Sequence, residues 1–293
     1  MIYGAILTAI ILSMQGIGFK LCAKKCGATG NDYLFNTISF ALGLIVIICI
    51  SVFTPFDCTS FLYGLGCGVI FCTMIFAYNQ ALKRVNIAYV NFFALFAMII
   101  PITASALVLQ EIITVYQYVS FGLMVVAAYL VCLGKTKLGN TSAQDRKTRL
   151  ISIFTIIAYI VFNGLLSLYI KLTNHHYQPM QWQQFVLGMF LLSFIAMIIG
   201  TGITTRGYKD IKSCIPNKWY IITAIGVGIV TIAGNIMFNY FSVRLNGAIF
   251  YPITSALPML IGAGISPLFG EKLSLREIMG ILVGVTAVVL VNF

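Results

Sequence analysis

The sequence predicts an all-α polytopic membrane protein, with ten transmembrane helices arranged as two inverted five-helix repeats. Three observations predict it. Of 293 residues, 60% are hydrophobic and only 9% are charged, and the mean hydropathy is +1.00. An ordinary soluble domain is about 45–50% apolar and about 25% charged. The seven carboxylates and 18 Lys/Arg here cannot cover a water-facing surface of this size. The apolar residues also fall in ten gapless runs, and the second half of the chain repeats the first.

A hydrocarbon core about 30 Å thick takes roughly 20 helical residues. The first run, Ile2–Lys20, has no basic residue before it and no small-residue cleavage site, so it reads as a retained span rather than a signal peptide. Tyr33–Phe53, Phe61–Leu82, Ile87–Leu109 and Tyr116–Leu133 follow, separated by short breaks marked by charge or by Pro, Gly and Asn. The longest polar connector, Lys135–Arg149, divides the chain into a first unit (residues 1–134), a linker (135–149) and a second unit (150–293). The second unit holds Leu150–Lys171, Gln181–Ile203, Trp219–Phe241, Gly247–Phe269 and Leu275–Val291. Runs this long argue for helices, because a membrane barrel shows alternating segments of about ten residues.

Charge supplies an orientation. Connectors after odd-numbered spans carry 16 of the 18 Lys/Arg, and connectors after even spans carry only Lys171 and Arg244. Short Lys/Arg-rich loops stay in the cytoplasm, so the odd loops are expected inside and both termini outside. The net charge of +11 is spread between apolar runs rather than gathered in a patch, which sets nucleic acid aside as a partner. Cys49, Cys67, Cys72 and Cys132 lie within apolar runs, and Cys22 and Cys26 sit beside two lysines. No spacing calls for zinc or a disulfide, and no metal or cofactor is expected.

Sliding the chain by 160 residues places Asn79 on Asn239, Arg84 on Arg244, Asn86 on Asn246, Ala88 on Ala248 and Glu111 on Glu271. Lys20-Leu21 at the end of the first run resembles Lys171-Leu172 at the end of the sixth. Five spans per unit is an odd number, so a second copy must sit upside down in the membrane. The two basic residues on the unfavoured side, Lys171 and Arg244, are also the two with repeat-mates there, Lys20 and Arg84. Inverted repeats are the architecture by which secondary transporters alternate access around a site between the units.

These residues also carry a family likeness. Ala81-Leu82-Lys83-Arg84-Val85-Asn86-Ile87-Ala88, then Pro101, then Glu111 with Thr114 and Gln117, resemble the repeat signature of the drug/metabolite transporter superfamily, EamA type. Gly270-Glu271, Ser274, Gly280 and Gly284-Val285 resemble the tail of that signature in the second unit. The first span departs from it, with Met14-Gln15-Gly16 where Trp-Gly is usual, and Ile261 stands at the second unit's proline position. The resemblance implies a ten-helix transporter in a bacterial plasma (inner) membrane. It also implies termini in the cytosol, against the charge count.

Polar side chains in hydrocarbon are costly and face a bundle interior or a water-filled cavity. Gln15, Asn36, Asn79, Gln80 and Asn91 lie towards the odd-loop face, and Asn163, Gln181, Gln183, Gln184, Asn235 and Asn239 towards the other. Two polar vestibules are therefore expected. From the amides and neighbouring aromatics, Gln15, Tyr78, Asn79, Asn91, Asn163, Trp182, Asn235, Asn239, Tyr240 and Tyr251 are the candidate substrate-binding residues. Belt or packing roles compete with binding for each aromatic. Pro101, Pro252, Pro258 and Pro267 remove ladder bonds in the fourth and ninth spans, the expected gates. Glu111 and Glu271 end those spans as capping groups, or else as halves of gating ion pairs. Lys20 and Lys171 either snorkel to the headgroups or attract an anionic substrate, and His175-His176 reads as a solvated connector.

No Asp or Glu lies in the middle of a span, which argues against proton-coupled export of organic cations. The expected protein is a secondary transporter, not an enzyme, for a small neutral, zwitterionic or amphipathic, amino-acid-like metabolite. Its partners are that solute and membrane lipid, and it is a monomer or weak dimer. The alternative is a flippase for a lipid or lipid-linked headgroup.

Overall fold

The computed structural model describes residues 2–26, 31–108, 114–133, 143–177, 180–244, 247–271 and 273–290, and no strand occurs among them. The helices are α1 (Ile2–Cys26), α2 (Asp32–Ser51), α3 (Cys58–Arg84), α4 (Ile87–Ala94), α5 (Ile99–Val108), α6 (Val115–Leu133), α7 (Ala143–His176), α8 (Trp182–Thr204), α9 (Lys218–Arg244), α10 (Gly247–Ile265) and α11 (Leu275–Leu290). A 3-10 turn, Leu95–Met98, joins α4 to α5 into one continuous helical segment, so the described residues hold ten such segments. Seven spans are long and apolar enough to cross a membrane; α6, α10 and α11 are shorter. The 16 residues of α11 reach about 24 Å at 1.5 Å per residue, less than the hydrocarbon thickness.

Several ends differ from the expected ones. Lys20 does not end the first helix, which runs to Cys26, and Lys171 does not end the sixth, which runs to His176. Part of the expected 135–149 linker is the first turns of α7. Charge marks where a helix leaves hydrocarbon, whereas the helix itself continues until capping stops it. Caps are explicit at α2 and α3. The Asn31 side chain accepts from the Tyr33 and Leu34 N–H groups, and Asp57 accepts from Thr59 and Ser60.

Two apolar cores hold the bundle. One unites α1, α2, α3, α7, α8 and α9 around Phe35, Phe40, Phe71, Phe185, Phe190 and Tyr220. The other unites α4, α6, α10 and α11 around Phe92, Met124, Met259 and Val288. Ile45, Leu62, Val69, Phe154, Ile199 and Ile229 point outward and stay exposed, as they would towards lipid. The principal pairings are α3 with α8 and α7, α9 with α2 and α1, α2 with α8, α6 with α11, α10 with α1 and α4, and α5 with α7.

Glycines set the closest approaches. A Cβ on Gly64 of α3 would lie 2.1 Å from the Phe185 carbonyl oxygen of α8, and one on Gly188 would lie 2.3 Å from that of Phe61. The corresponding distances are 2.7 Å from Gly68 to Met189 O and 2.6 Å from Gly228 to Ser39 O. Hydroxyls reinforce these seams. Ser193 Oγ donates to Gly68 O at 3.1 Å, and Ser39 Oγ donates to Ala224 O at 2.8 Å.

The break in the fourth span follows from Pro101. It has no N–H for the Ala97 carbonyl and its ring crowds that group, so the backbone tightens into 3-10 geometry at Leu95–Met98. In the ninth span the outcome differs from expectation at two of the three prolines. The helix carries through Pro252 and Pro258, and the change to 3-10 comes at Ser266–Phe269, with Pro267 in its first turn and Gly270 in the left-handed conformation (φ 75°).

Candidate functional site: a cavity sealed at one face

A cavity of about 470 Å³ lies among α1, α3, α4, α5, α6, α7, α9 and α10. The first half contributes Gln15, Tyr78, Asn91, Pro101 and Gln117 to its wall. The second contributes Tyr159, Asn163, Ser167, Lys171, Asn235, Thr254, Ser255 and Pro258. Leu12, Phe71, Met74, Ile75, Leu95, Met98 and Leu166 supply apolar surface between these groups. Amides and hydroxyls on an apolar wall are the usual make-up of a small-molecule site.

The cavity is lopsided across the membrane. At the even-loop side it reaches Gln117, near the start of α6, and Lys171, near the end of α7. At the odd-loop side it stops at Tyr78 and Asn91, one to two turns short of the ends of α3 and α4. A polar chain forms this floor. The Tyr78 hydroxyl donates to Asn91 Oδ1 at 3.1 Å, and Asn91 Nδ2 donates to the Pro258 carbonyl at 3.1 Å. The Tyr78 and Tyr159 rings lie 4.7 Å apart, which brings α7 to the same level. Gly16 permits this contact, since a Cβ there would be 2.2 Å from the Tyr78 hydroxyl.

Towards the odd-loop face lies an ionic latch. Lys20 Nζ is 2.6 Å from Glu271 Oε1 and donates to the Leu82 and Val85 carbonyls at 2.9 and 2.8 Å. Glu271 Oε2 accepts the Ile87 N–H at 3.1 Å, one of the open donors at the start of α4. The two side chains are only 14% and 9% exposed. Lys20 therefore does not snorkel to the headgroups; it ties α1, α3, α4 and the segment after α10 together.

The remaining candidates lie elsewhere. Asn79 does not line the cavity: its Nδ2 donates to Asp32 Oδ1 at 3.3 Å, beside the 2.5 Å Lys83–Asp32 ion pair and a Gln80–Asp32 hydrogen bond. Asn239 also lies off it, donating to the Asn235 carbonyl one turn back. Tyr240 packs under the Arg244 guanidinium, 3.7 Å from the ring centre, and edge-on to Trp182. These aromatics are belt-like, one of the two roles the sequence allowed. The side chains of Tyr251 and Pro252, and Glu111 altogether, lie outside the described residues.

The two expected vestibules are unequal. The even-side amides Asn163 and Asn235 share a cavity with Gln15 and Asn91 from the odd-side group, whereas Asn79 and Gln80 are engaged around Asp32 and the buried Asn36 amide has no hydrogen-bond partner. Beyond the cavity on the even side, Asp57 accepts from Tyr177 at 3.3 Å and from Ser60, whose Oγ in turn accepts the Gln181 N–H at 3.0 Å. The Ser60 hydroxyl, helped by nearby N–H groups, holds the Asp57 carboxyl below the usual carboxylate range.

The sequence reading passed over Asp32 and Glu277. Glu277 is 4% exposed, accepts from Tyr89 Oη, and takes the Ser274 N–H at 2.6 Å while Ser274 Oγ accepts its own N–H. The spacing Ser274-x-x-Glu277 ahead of an apolar run was the available signal, a capping box.

Residues 1–133 match the EamA-like transporter family. No curated protein matches the chain. A solved structure described as "Crystal structure of protein" is similar in fold, with a TM-score of 0.60 over 98% of this chain and 95% of that one, at 16% identity. The matched stretch holds α1 to α6, which build the first half of the cavity wall, and over residues 1–133 this membrane protein is similar to the EamA-like transporter family of the drug/metabolite transporter superfamily.

Proposed function

We propose that the protein is a secondary transporter that moves a small neutral, zwitterionic or amphipathic, amino-acid-like metabolite by alternating access between two inverted five-helix units. The observation that carries this reading is a polar cavity walled by both halves, reaching towards one face and sealed from the other by the Lys20–Glu271 latch.

The helix pairings support the inverted units. Exchanging the first five spans for the last five turns the α3–α8 seam into α9–α2, α1–α9 into α7–α3, and α1–α10 into α7 with α4 and α5. The pairs α2–α8, α6–α11 and α4–α10 map onto themselves. The match extends to single contacts. Gly68 against Met189 becomes Gly228 against Ser39, at nearly equal approach. Two units that pack by the same seams can exchange roles by rocking, which opens one face as the other closes.

The direct test is exchange of a labelled metabolite panel into proteoliposomes. Transport by the intact protein should fall about tenfold or more when Asn163 or Asn235 is changed to Leu, each change removing a cavity amide. A folded protein that moves no member of a broad panel would sink the reading. Orientation has its own test. With the odd loops cytoplasmic, a tag at either end of the chain should be reached by antibody in intact cells; a tag reached only after permeabilisation would invert the assignment.

A further inference from the structure

The cavity wall holds more hydrogen-bonding capacity than the fold itself uses. Tyr78, Asn91, Ser167 and Thr254 all give their side-chain donors to partners within the bundle. Tyr159, Asn163 and Asn235 keep capacity in hand. Tyr159 and Asn163 stand four residues apart on α7, and so on one face of it. Among the described residues the Asn163 carboxamide makes no hydrogen bond at either end. The Tyr159 hydroxyl makes none either, although the residue is only 8% exposed.

Asn235 supplies a second, independent observation. It lies on α9, which is not a principal partner of α7, and the cavity that both helices line lies between them. Its Nδ2 donates to the Thr231 carbonyl one turn back, at 2.9 Å. That bond fixes which end of the amide is which, because only the nitrogen can donate to a carbonyl. Oδ1 is left as an acceptor that receives no hydrogen bond among the described residues, and it is not one of the fully enclosed polar atoms.

These groups make unequal demands on a ligand. The Tyr159 hydroxyl and the Asn163 amide can give or receive, whereas Asn235 Oδ1 can only receive. A head group made of oxygens alone satisfies the first two and leaves Asn235 Oδ1 without a donor. A site that hydrogen-bonds a ligand N–H rejects the analogue lacking it, because its own polar group is then unpaired.

Resting on the transport reading, we infer that the polar head of the substrate carries an amine or amide nitrogen beside an acceptor oxygen, and that Asn235 reads the N–H. The nitrogen donates to Asn235 Oδ1 and Asn163 Oδ1, and the oxygen accepts from Tyr159 Oη and Asn163 Nδ2. The apolar body lies against Phe71, Met74 and Leu166, in a space of about 470 Å³. Simple carboxylates and esters of the same body are selected against.

Two matched pairs test this, each losing the N–H on one body: phenylalanine with 3-phenylpropionate, and N-methyl-3-phenylpropanamide with its isostere methyl 3-phenylpropionate. Binding is read for all four by thermal stabilisation of the purified protein in detergent. Exchange in phosphatidylethanolamine/phosphatidylglycerol vesicles is read for phenylalanine and 3-phenylpropionate. The N–H-bearing member of each pair should bind at least about tenfold tighter than its mate. Asn235→Leu should weaken that member about tenfold and its mate by less than about twofold. Tyr159→Phe should weaken all four alike, about threefold, since each carries an acceptor oxygen. The empty variants should melt close to the unchanged protein, because neither lost group bonds one helix to another.

Ester and carboxylate bound as tightly as their mates would overturn the N–H requirement and leave transport standing. An Asn235→Leu variant that weakens both members of a pair equally would overturn the assignment to Asn235. A folded protein that binds none of the four would overturn this inference, while the broad metabolite panel decides transport separately.

Discussion

Glu271→Gln should slow transport by two orders of magnitude or more and leave the odd-loop face open to a membrane-impermeant reagent. The closed face depends on a short ion pair whose members are 14% and 9% exposed. Neutralising one partner leaves the Lys20 ammonium enclosed with only the Leu82 and Val85 carbonyls. Breaking a buried pair this way costs about 3–5 kcal/mol. A shift of about 3 kcal/mol between the two access states changes their ratio about 150-fold, enough to trap the protein with that face open. The Ile87 N–H also loses its carboxylate, which loosens the start of α4 just beneath the cavity floor.

The swapped variant Lys20→Glu/Glu271→Lys separates gating from folding. A salt bridge of either polarity can latch the face, so the swap should recover a substantial part of transport while each single change does not. The readouts are exchange in proteoliposomes and protection of the odd-loop face. Single variants that transport normally per folded molecule would remove the latch from the mechanism.

Among the described glycines, Gly64→Ala should be the most damaging added methyl. The added Cβ would meet the Phe185 carbonyl oxygen at 2.1 Å, and that oxygen is backbone with no rotamer to escape into. Gly188→Ala repeats the clash from the other side, 2.3 Å from the Phe61 carbonyl. Overpacking costs about 1–3 kcal/mol where side chains can yield, so about 3 kcal/mol or more is expected here. Gly122→Ala is the matched control. Nothing lies within 4 Å of its Cβ, and a helical Gly-to-Ala change is worth about 0.5–1 kcal/mol of stabilisation. Detergent unfolding midpoints should therefore move in opposite directions. Equal midpoints for Gly64→Ala and Gly122→Ala would mean that the α3–α8 seam is not the tight one.

Much of the architecture was legible in the residues because a membrane makes each span declare itself. With no water to satisfy stray backbone groups, the chain is either a long apolar helix or a short polar break, and the breaks are where Lys, Arg, Asn and Gly stand. Pro101 marked a real kink because a missing N–H acts locally. Pro252 and Pro258 did not interrupt α10, since neighbouring helices decide whether such a loss bends the backbone.

The site was legible only by residue type. Gln15, Tyr78, Asn91, Asn163 and Asn235 reach the cavity, while Asn79 and Asn239, the pair the repeat singled out most clearly, turn to Asp32 and to a carbonyl of their own helix. Depth along a span can be counted from its ends, but rotation about the helix axis is set by partners far away in the chain.

Lys20 and Glu271 show the same division. Each alone reads as a boundary charge, and nothing in the 250 residues between them announces the 2.6 Å pair. The sequence by itself determined that lipid is the solvent and that the chain meets it as long apolar helices, because these depend on composition and local hydrogen bonding. Only the tertiary structure decided which polar groups share a cavity and which face is shut. Those depend on helices packing through glycine seams, and packing joins residues that sequence order keeps apart.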